Sequence, residues 1–222
     1  MFQDKKIAFI GSGTMAEAMI RGLLDQQIVT AEHIIAADPW EARLKYLHER
    51  HGVNTTGDNA YAAEEGQVIV FSIKPQNLDE VMPTIRGHLR RQDLVLSIIA
   101  GVPIRKLANG VAHASVVRAM PNTPAQIGQG ITVWTSTPEV SDLHKQQAQA
   151  ILGSFGQEIF VDDERYLDMA TALSGSGPGD VFMMMEAMID DGVHLGFFFA
   201  PHRHRFGHAD DAGVGRICPP LE

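Results

Sequence analysis

Short apolar runs alternate with amphipathic stretches along most of the chain. "KIAFI" (6–10) is a run of strand formers that Gly11 and Gly13 bring to a stop. "TMAEAMIRGLL" (14–24) then spaces its apolar residues as a helix does. "HIIAAD" (33–38) predicts a second strand, and "PWEARLKYLHERHG" a helix with Pro39 in its first turn. "QVIVFSI" (67–73) is continuously apolar, as in a sheet covered on both faces. A helix over "NLDEVMPTIRGHL" and a strand over "DLVLSII" follow, then a short helix "IRKLANGV" and a strand "SVVRAM". "GITVW" (130–134) adds a strand, "EVSDLHKQQAQAILGSF" a long helix and "QEIFV" a last strand. Alternating strands and helices imply right-handed crossovers and a mostly parallel sheet. The expected fold class is α/β, with a Rossmann-type doubly wound domain over residues 1–161.

The pattern changes at Asp162. "ERYLDMATALSG" and "DVFMMMEAMIDDGVHLGF" both read as helices, and no further strand is predicted. Residues 162–197 are therefore the expected start of a second, helical domain. Its second helix carries Val181, Phe182, Met183, Met184, Met185, Met188 and Ile189, more than one apolar stripe. Such a helix requires cover on more than one side. A partner subunit, further helices or the first domain could supply it.

Composition narrows the function classes. The chain has 222 residues, 45% apolar and 20% charged, enough for one full domain and a smaller second one. A net charge of −9 argues against a general nucleic-acid binder, which needs a basic face. Cys218 stands alone, so no internal disulfide framework is expected. With neither a secretory signal nor a membrane span in view, the expectation is a cytoplasmic protein with no membrane partner.

The candidate chemistry begins at Gly11-Ser12-Gly13-Thr14-Met15-Ala16, a G-x-G-x-x-A dinucleotide fingerprint between a strand and a helix. Gly11 permits the tight turn, Gly13 lets the backbone approach a pyrophosphate, and Ala16 allows close helix–sheet packing. Asp38 closes the second strand, where a carboxylate binds ribose hydroxyls and repels a 2′-phosphate. Arg43, further along, could reach a phosphate, and an Asp before Pro also starts turns. The cofactor stays open between NADPH and NADH.

Four further stretches join this loop: "FSIKPQ", "SIIAGV", "VVRAMPNTPAQIGQG" and "ALSGSGPGDVF". Together the five, in order over residues 4–197, resemble pyrroline-5-carboxylate reductase. The resemblance implies NAD(P)H-dependent reduction of the cyclic imine 1-pyrroline-5-carboxylate to L-proline, in proline biosynthesis. It implies a homo-oligomer built through the helical domain, most of whose interface this chain is expected to lack, and a small-molecule substrate; no metal is expected, since no metal-ligand cluster stands in the Rossmann part. It adds Asn59, Ile73, Lys74, Pro75 and Ala100 to Gly11–Ala16 and Asp38 at the cofactor. Asn59 also reads as a helix cap and Pro75 as a strand terminator. Asn122, Ser174 and Ser176 are the expected substrate contacts, the serines also fitting a helix start with Pro178 in its first turn. No catalytic acid is assigned.

Two departures qualify the resemblance. Gly179 and Asp180 stand where the family has Ala and an aromatic residue. After Phe197 the family's later helices, with their carboxylate-binding segment, have no counterpart, so the dimerisation domain is expected to be incomplete. An alternative follows: a non-catalytic dinucleotide-binding fragment. Residues 198–222 hold His202, His204 and His208 but neither zinc-finger spacing nor a sustained basic run. Shifting Gly207–Pro220 by one base allows "VMQTMLGSVEFARR", an amphipathic helix. The tail is thus expected to be a disordered, frameshifted segment.

Overall fold

The computed structural model describes Phe2 and residues 5–196. The expected tail, 198–222, lies outside the described residues, as does Phe197. Eight strands form one sheet: β1 (Ile7–Ile10), β2 (Ile34–Ala37), β3 (Asn54–Thr56), β4 (Val68–Phe71), β5 (Leu94–Ser97), β6 (Val116–Met120), β7 (Gly130–Ser136) and β8 (Gly156–Phe160). Their spatial order is β3-β2-β1-β4-β5-β6-β7-β8. Neighbours from β3 to β6 are parallel; β7 runs antiparallel to β6, and β8 parallel to β7. This is the mostly parallel α/β sheet that the alternation predicts.

The helices are α1 (Thr14–Asp25), α2 (Glu41–His51), α3 (Asn59–Glu65), α4 (Leu78–Ile85), α5 (Ile104–Val111), α6 (Asp142–Gly153), α7 (Arg165–Ala170) and α8 (Gly177–His194). Strand alternation divides the core. Ile7, Phe9, Val68, Val70, Leu94 and Leu96 pack on one face with Met19, Leu23, Leu47 and Ile151. Ala8, Ile10, Ile69, Phe71 and Val95 pack on the other with Ala62, Leu78, Ile85 and Leu107. A parallel sheet covered on both faces requires near-continuous apolar strands, and β1, β2, β4 and β5 are buried at every apolar position.

Three local features differ from the sequence reading. The apolar pattern predicts no strand at β3: "NTT" is polar and sits at a sheet edge, where apolar periodicity gives no signal. Pro39 precedes α2 instead of entering its first turn, because the Asp38 carboxylate takes the Trp40 N–H at 3.0 Å and delays the helix to Glu41. Residues Thr171–Gly175 form a π-helical turn after α7.

The chain divides into two compact units between Gly175 and Ser176. In the first, α7 docks on the sheet through fully buried Leu167. Arg118 of β6, itself 3% exposed, binds Glu164 at 2.8 Å and Asp168 at 2.9 Å. The described part of the second unit is α8, with Pro178 in its first turn. Among the described residues, no helix is long and apolar enough to cross a membrane.

Candidate active site

The strand order reverses direction of growth between β1 and β4, and the crevice beyond the carboxyl ends there is the ligand position of open α/β sheets. Parallel register puts Ile10, Ala37 and Phe71 side by side at those ends. Gly11, Asp38 and Ser72 therefore leave the sheet together. Gly11 turns at φ +84°, and a Cβ there would stand 2.5 Å from Ile73 Cγ2. Its N–H donates to the Ala37 carbonyl at 2.9 Å, and its carbonyl accepts from Ser72 Oγ at 2.6 Å. The fold itself requires glycine at this position.

Gly13 differs. Its backbone is extended at φ −70°, which any residue adopts, and a Cβ would meet no atom of the described residues within 4 Å. It caps α1 without a side chain, and the Glu17 N–H reaches back to its carbonyl at 3.0 Å. The first turn of a helix presents N–H groups that have no intrahelical acceptor, at the positive end of the dipole. Gly13 thus leaves an open approach to an anion-binding helix end. Thr14 is exposed, Met15 half-buried, and Ala16 fully buried against the sheet.

Asp38 holds the loop from the side. Its Oδ2 accepts the Ser12 N–H at 2.9 Å, and Ser12 Oγ donates to the Ala37 carbonyl at 3.1 Å. Arg43 of α2 adds a second clasp: Nε donates to the Ser12 carbonyl at 2.7 Å and Nη2 to the Gly13 carbonyl at 3.2 Å. Nη2 also meets Glu17 Oε2 at 2.7 Å. Glu17 further accepts from Tyr46 Oη at 3.2 Å, lies 3.1 Å from His51 Nε2, and has Arg50 at 3.7 Å. Burial alone would push the Glu17 carboxyl up. Hydrogen bonds from His51 and Arg43, with the Arg43 charge, outweigh it and hold the group below its ordinary value.

The other expected cofactor residues gather around the same end of the sheet. Ile73 packs over Gly11, and Lys74 and Pro75 are exposed where the 3₁₀ turn Pro75–Asn77 leaves β4. Ala100 is half-buried in the turn after β5. Asn59 is half-buried at the start of α3 and is not its cap; Asp58 fills that role, accepting Ala60 N–H at 2.9 Å and Tyr61 N–H at 3.2 Å.

Asn122 follows β6 and is 8% exposed. Its Oδ1 accepts the Ile131 N–H at 2.9 Å, and its Nδ2 donates to the Ser174 carbonyl at 3.1 Å. The structure thereby brings Asn122 and Ser174 together, with Asn122 bracing the loop before β7 against the π-helical turn. Ser174 Oγ donates to the Ala170 carbonyl at 3.0 Å. Ser176 belongs to the second unit, where its carbonyl accepts the N–H groups of Gly179 at 2.8 Å and Asp180 at 3.2 Å. The sequence pattern does not single out Glu17, His51, Ser72 or Arg118. No motif marks them; only the packing of α1 on α2, and of α7 on the sheet, makes them partners. Among the described residues, no group of three or more His, Cys, Asp or Glu side chains could hold a metal ion.

The chain is similar to known proteins along most of its length. Residues 6–101 match the family model described as NADP oxidoreductase coenzyme F420-dependent, and residues 164–200 that described as pyrroline-5-carboxylate reductase dimerisation. A pyrroline-5-carboxylate reductase of Synechocystis sp. is 37% identical over 191 residues, covering 86% of this chain and 71% of that protein. The solved pyrroline-5-carboxylate reductase of Coxiella burnetii superposes with a TM-score of 0.80 at 31% identity, over 88% of this chain and 73% of its own. The pyrroline carboxylate reductase of Plasmodium falciparum, solved with NADP bound, gives 0.78 at 29%, over 88% and 72%.

Proposed function

The chain belongs to the pyrroline-5-carboxylate reductase family, and we propose that it reduces 1-pyrroline-5-carboxylate to L-proline with NADH or NADPH, the reductive step of proline biosynthesis. Gly13 carries the reading. The fold has no need of glycine there, whereas a pyrophosphate lying against the loop does. The residues present fit a dinucleotide: an open cradle at Gly13, a helix N-terminus behind it, and a carboxylate fixed on the Ser12 N–H.

The loop Gly11–Ala16 holds the pyrophosphate through backbone N–H groups at the start of α1, Gly11 and Ser12 shaping the turn with theirs, and Asp38 accepts from the adenosine ribose. Ile73, Lys74, Pro75, Asn59 and Ala100 line the remaining path. A bound reduced nicotinamide supplies a hydride to the C=N carbon. With the imine nitrogen already protonated, hydride addition yields the neutral secondary amine, so electrons and protons balance without an acid acting in that step. The protein's part is positioning and charge. Asn122 keeps the loop after β6 in place. Ser176 donates to the substrate carboxylate; the Ser174 hydroxyl serves the Ala170 carbonyl. Residues 1–161 form the dinucleotide domain and 162–197 begin the helical one; α8 pairs with its counterpart in a second subunit through its exposed apolar side chains.

The test uses purified full chain, each reduced dinucleotide and 1-pyrroline-5-carboxylate, with absorbance of the reduced nicotinamide followed and proline identified by mass. Substrate-dependent oxidation with matching proline is expected. Dinucleotide binding without any turnover would replace the reductase reading with that of a binding chain.

A further inference from the structure

We propose that Glu17 sets the dinucleotide preference: by holding Arg43 on the loop, it withholds the cation that a ribose 2′-phosphate would need, and the chain selects NADH over NADPH. The proposal rests on the dinucleotide reading above. Asp38 ends β2 with both carboxylate oxygens engaged by N–H donors, Ser12 on one and Trp40 on the other. It is therefore fixed, and its charge meets any phosphate brought to that ribose. A 2′-phosphate is tolerated at such a position only beside a cation with N–H groups to give.

Arg43 is a guanidinium seated on the Ser12–Gly13 loop, and its Nε and Nη2 donors are directed at that loop and at Glu17. Nε serves the Ser12 carbonyl, and Nη2 serves the Gly13 carbonyl and Glu17. The side chain is 20% exposed and lies over the Tyr46 ring, 5.1 Å from its centroid. To swing from the loop toward a phosphate with Nε and Nη2 it would abandon two loop carbonyls and a carboxylate that is itself only 20% exposed. The neighbouring charges reinforce this. Arg50 and His51 also face Glu17, and Lys45 pairs with Glu49 at 3.9 Å. Burial opposes the charge, but His51, Arg43 itself and Tyr46 outweigh it and hold the Glu17 carboxyl below its ordinary value.

Binding, not turnover, provides the test. NADH and NADPH are titrated by fluorescence against the full chain, wild type and Glu17→Gln. Wild type is expected to bind NADH more tightly by about tenfold, the size of one charge-assisted contact. Glu17→Gln keeps the shape and removes the charge, so the ratio should shrink by about tenfold, mainly through tighter NADPH binding. Adding Arg43→Ala to that variant should return the ratio. Arg43→Met alone provides a second arm, independent of any loss of folding in the first: both affinities should fall alike. An unchanged ratio in Glu17→Gln, a wild type that favours NADPH, or a selective loss of NADPH in Arg43→Met would each overturn the proposal. Failure of wild type to bind either dinucleotide would instead defeat the underlying reading.

Discussion

Val68, Ile69, Val70 and Phe71 of β4 are fully buried, whereas Phe182, Met183, Met184, Met185 and Met188 of α8 stand exposed. Both stretches are apolar runs of similar density. β4 lies between two parallel neighbours, and cover from both faces removes its side chains from water. Within its own unit, α8 has no such cover among the described residues. The first unit completes its own core; the described part of the second carries an apolar surface of the kind that subunit interfaces use. The match of residues 164–200 to a dimerisation model agrees with that contrast.

Cutting into each region should give different signatures. Phe71→Ala removes a fully buried ring and should destabilise the first unit by about 3–5 kcal/mol, seen as an earlier transition in urea. Equal stability would mean that β4 is less tightly enclosed than it looks. On α8, Met184→Gln with Met188→Gln should leave that transition nearly unmoved. If α8 forms the subunit contact proposed above, the pair should raise the dimer dissociation constant at least about 100-fold, measured by sedimentation, since each exposed methionine would lose burial at that contact. A shift in the urea transition without any change in assembly would place those side chains in an intramolecular core.

The same contrast can be made within one loop. Gly13→Val should weaken dinucleotide binding by about 30-fold with little loss of stability, because only a ligand would meet the new side chain. Gly11→Ala should lower stability and binding together, because φ is +84° and Ile73 is in the way. If the two variants behave alike in calorimetry, the division between fold and ligand glycines fails.

The smallest effect is pH-linked. The Glu17 carboxyl titrates below its ordinary 4.5 in the folded chain. Its stabilisation is complete above that value and is lost as pH falls through the lower, folded one. Wild type should therefore lose more stability than Glu17→Gln between neutrality and about pH 3, by parallel urea titrations. Parallel curves would show the clasp on Arg43 to be weak.

Features that depend on neighbours in the chain are legible in the amino-acid sequence alone. Gly11–Ala16 sit between a strand and a helix whose periodicities are plain, and Asp38 marks the end of the next strand. β4 announces its burial by having no polar position to expose. Features joining distant segments are not legible there. Glu17 lies 26 residues from Arg43 and 34 from His51, and no spacing rule connects them. Asp58, not Asn59, caps α3, because both residue types cap equally well and only the backbone decides which carbonyl begins the helix.

The amino-acid sequence by itself determined the alternation of strands and helices, the glycine turn and the apolar character of α8. Each follows from local backbone preference and from the period with which side chains face one side. Only the tertiary structure decided that Gly11 serves the fold while Gly13 leaves open space, that Asn122 braces the Ser174 turn, and that Glu17 clasps Arg43 to the loop. Those depend on which surfaces meet when α1 and α2 pack on the sheet. Long-range contacts arise from the packing of whole elements, and no residue's own chemistry names its partner.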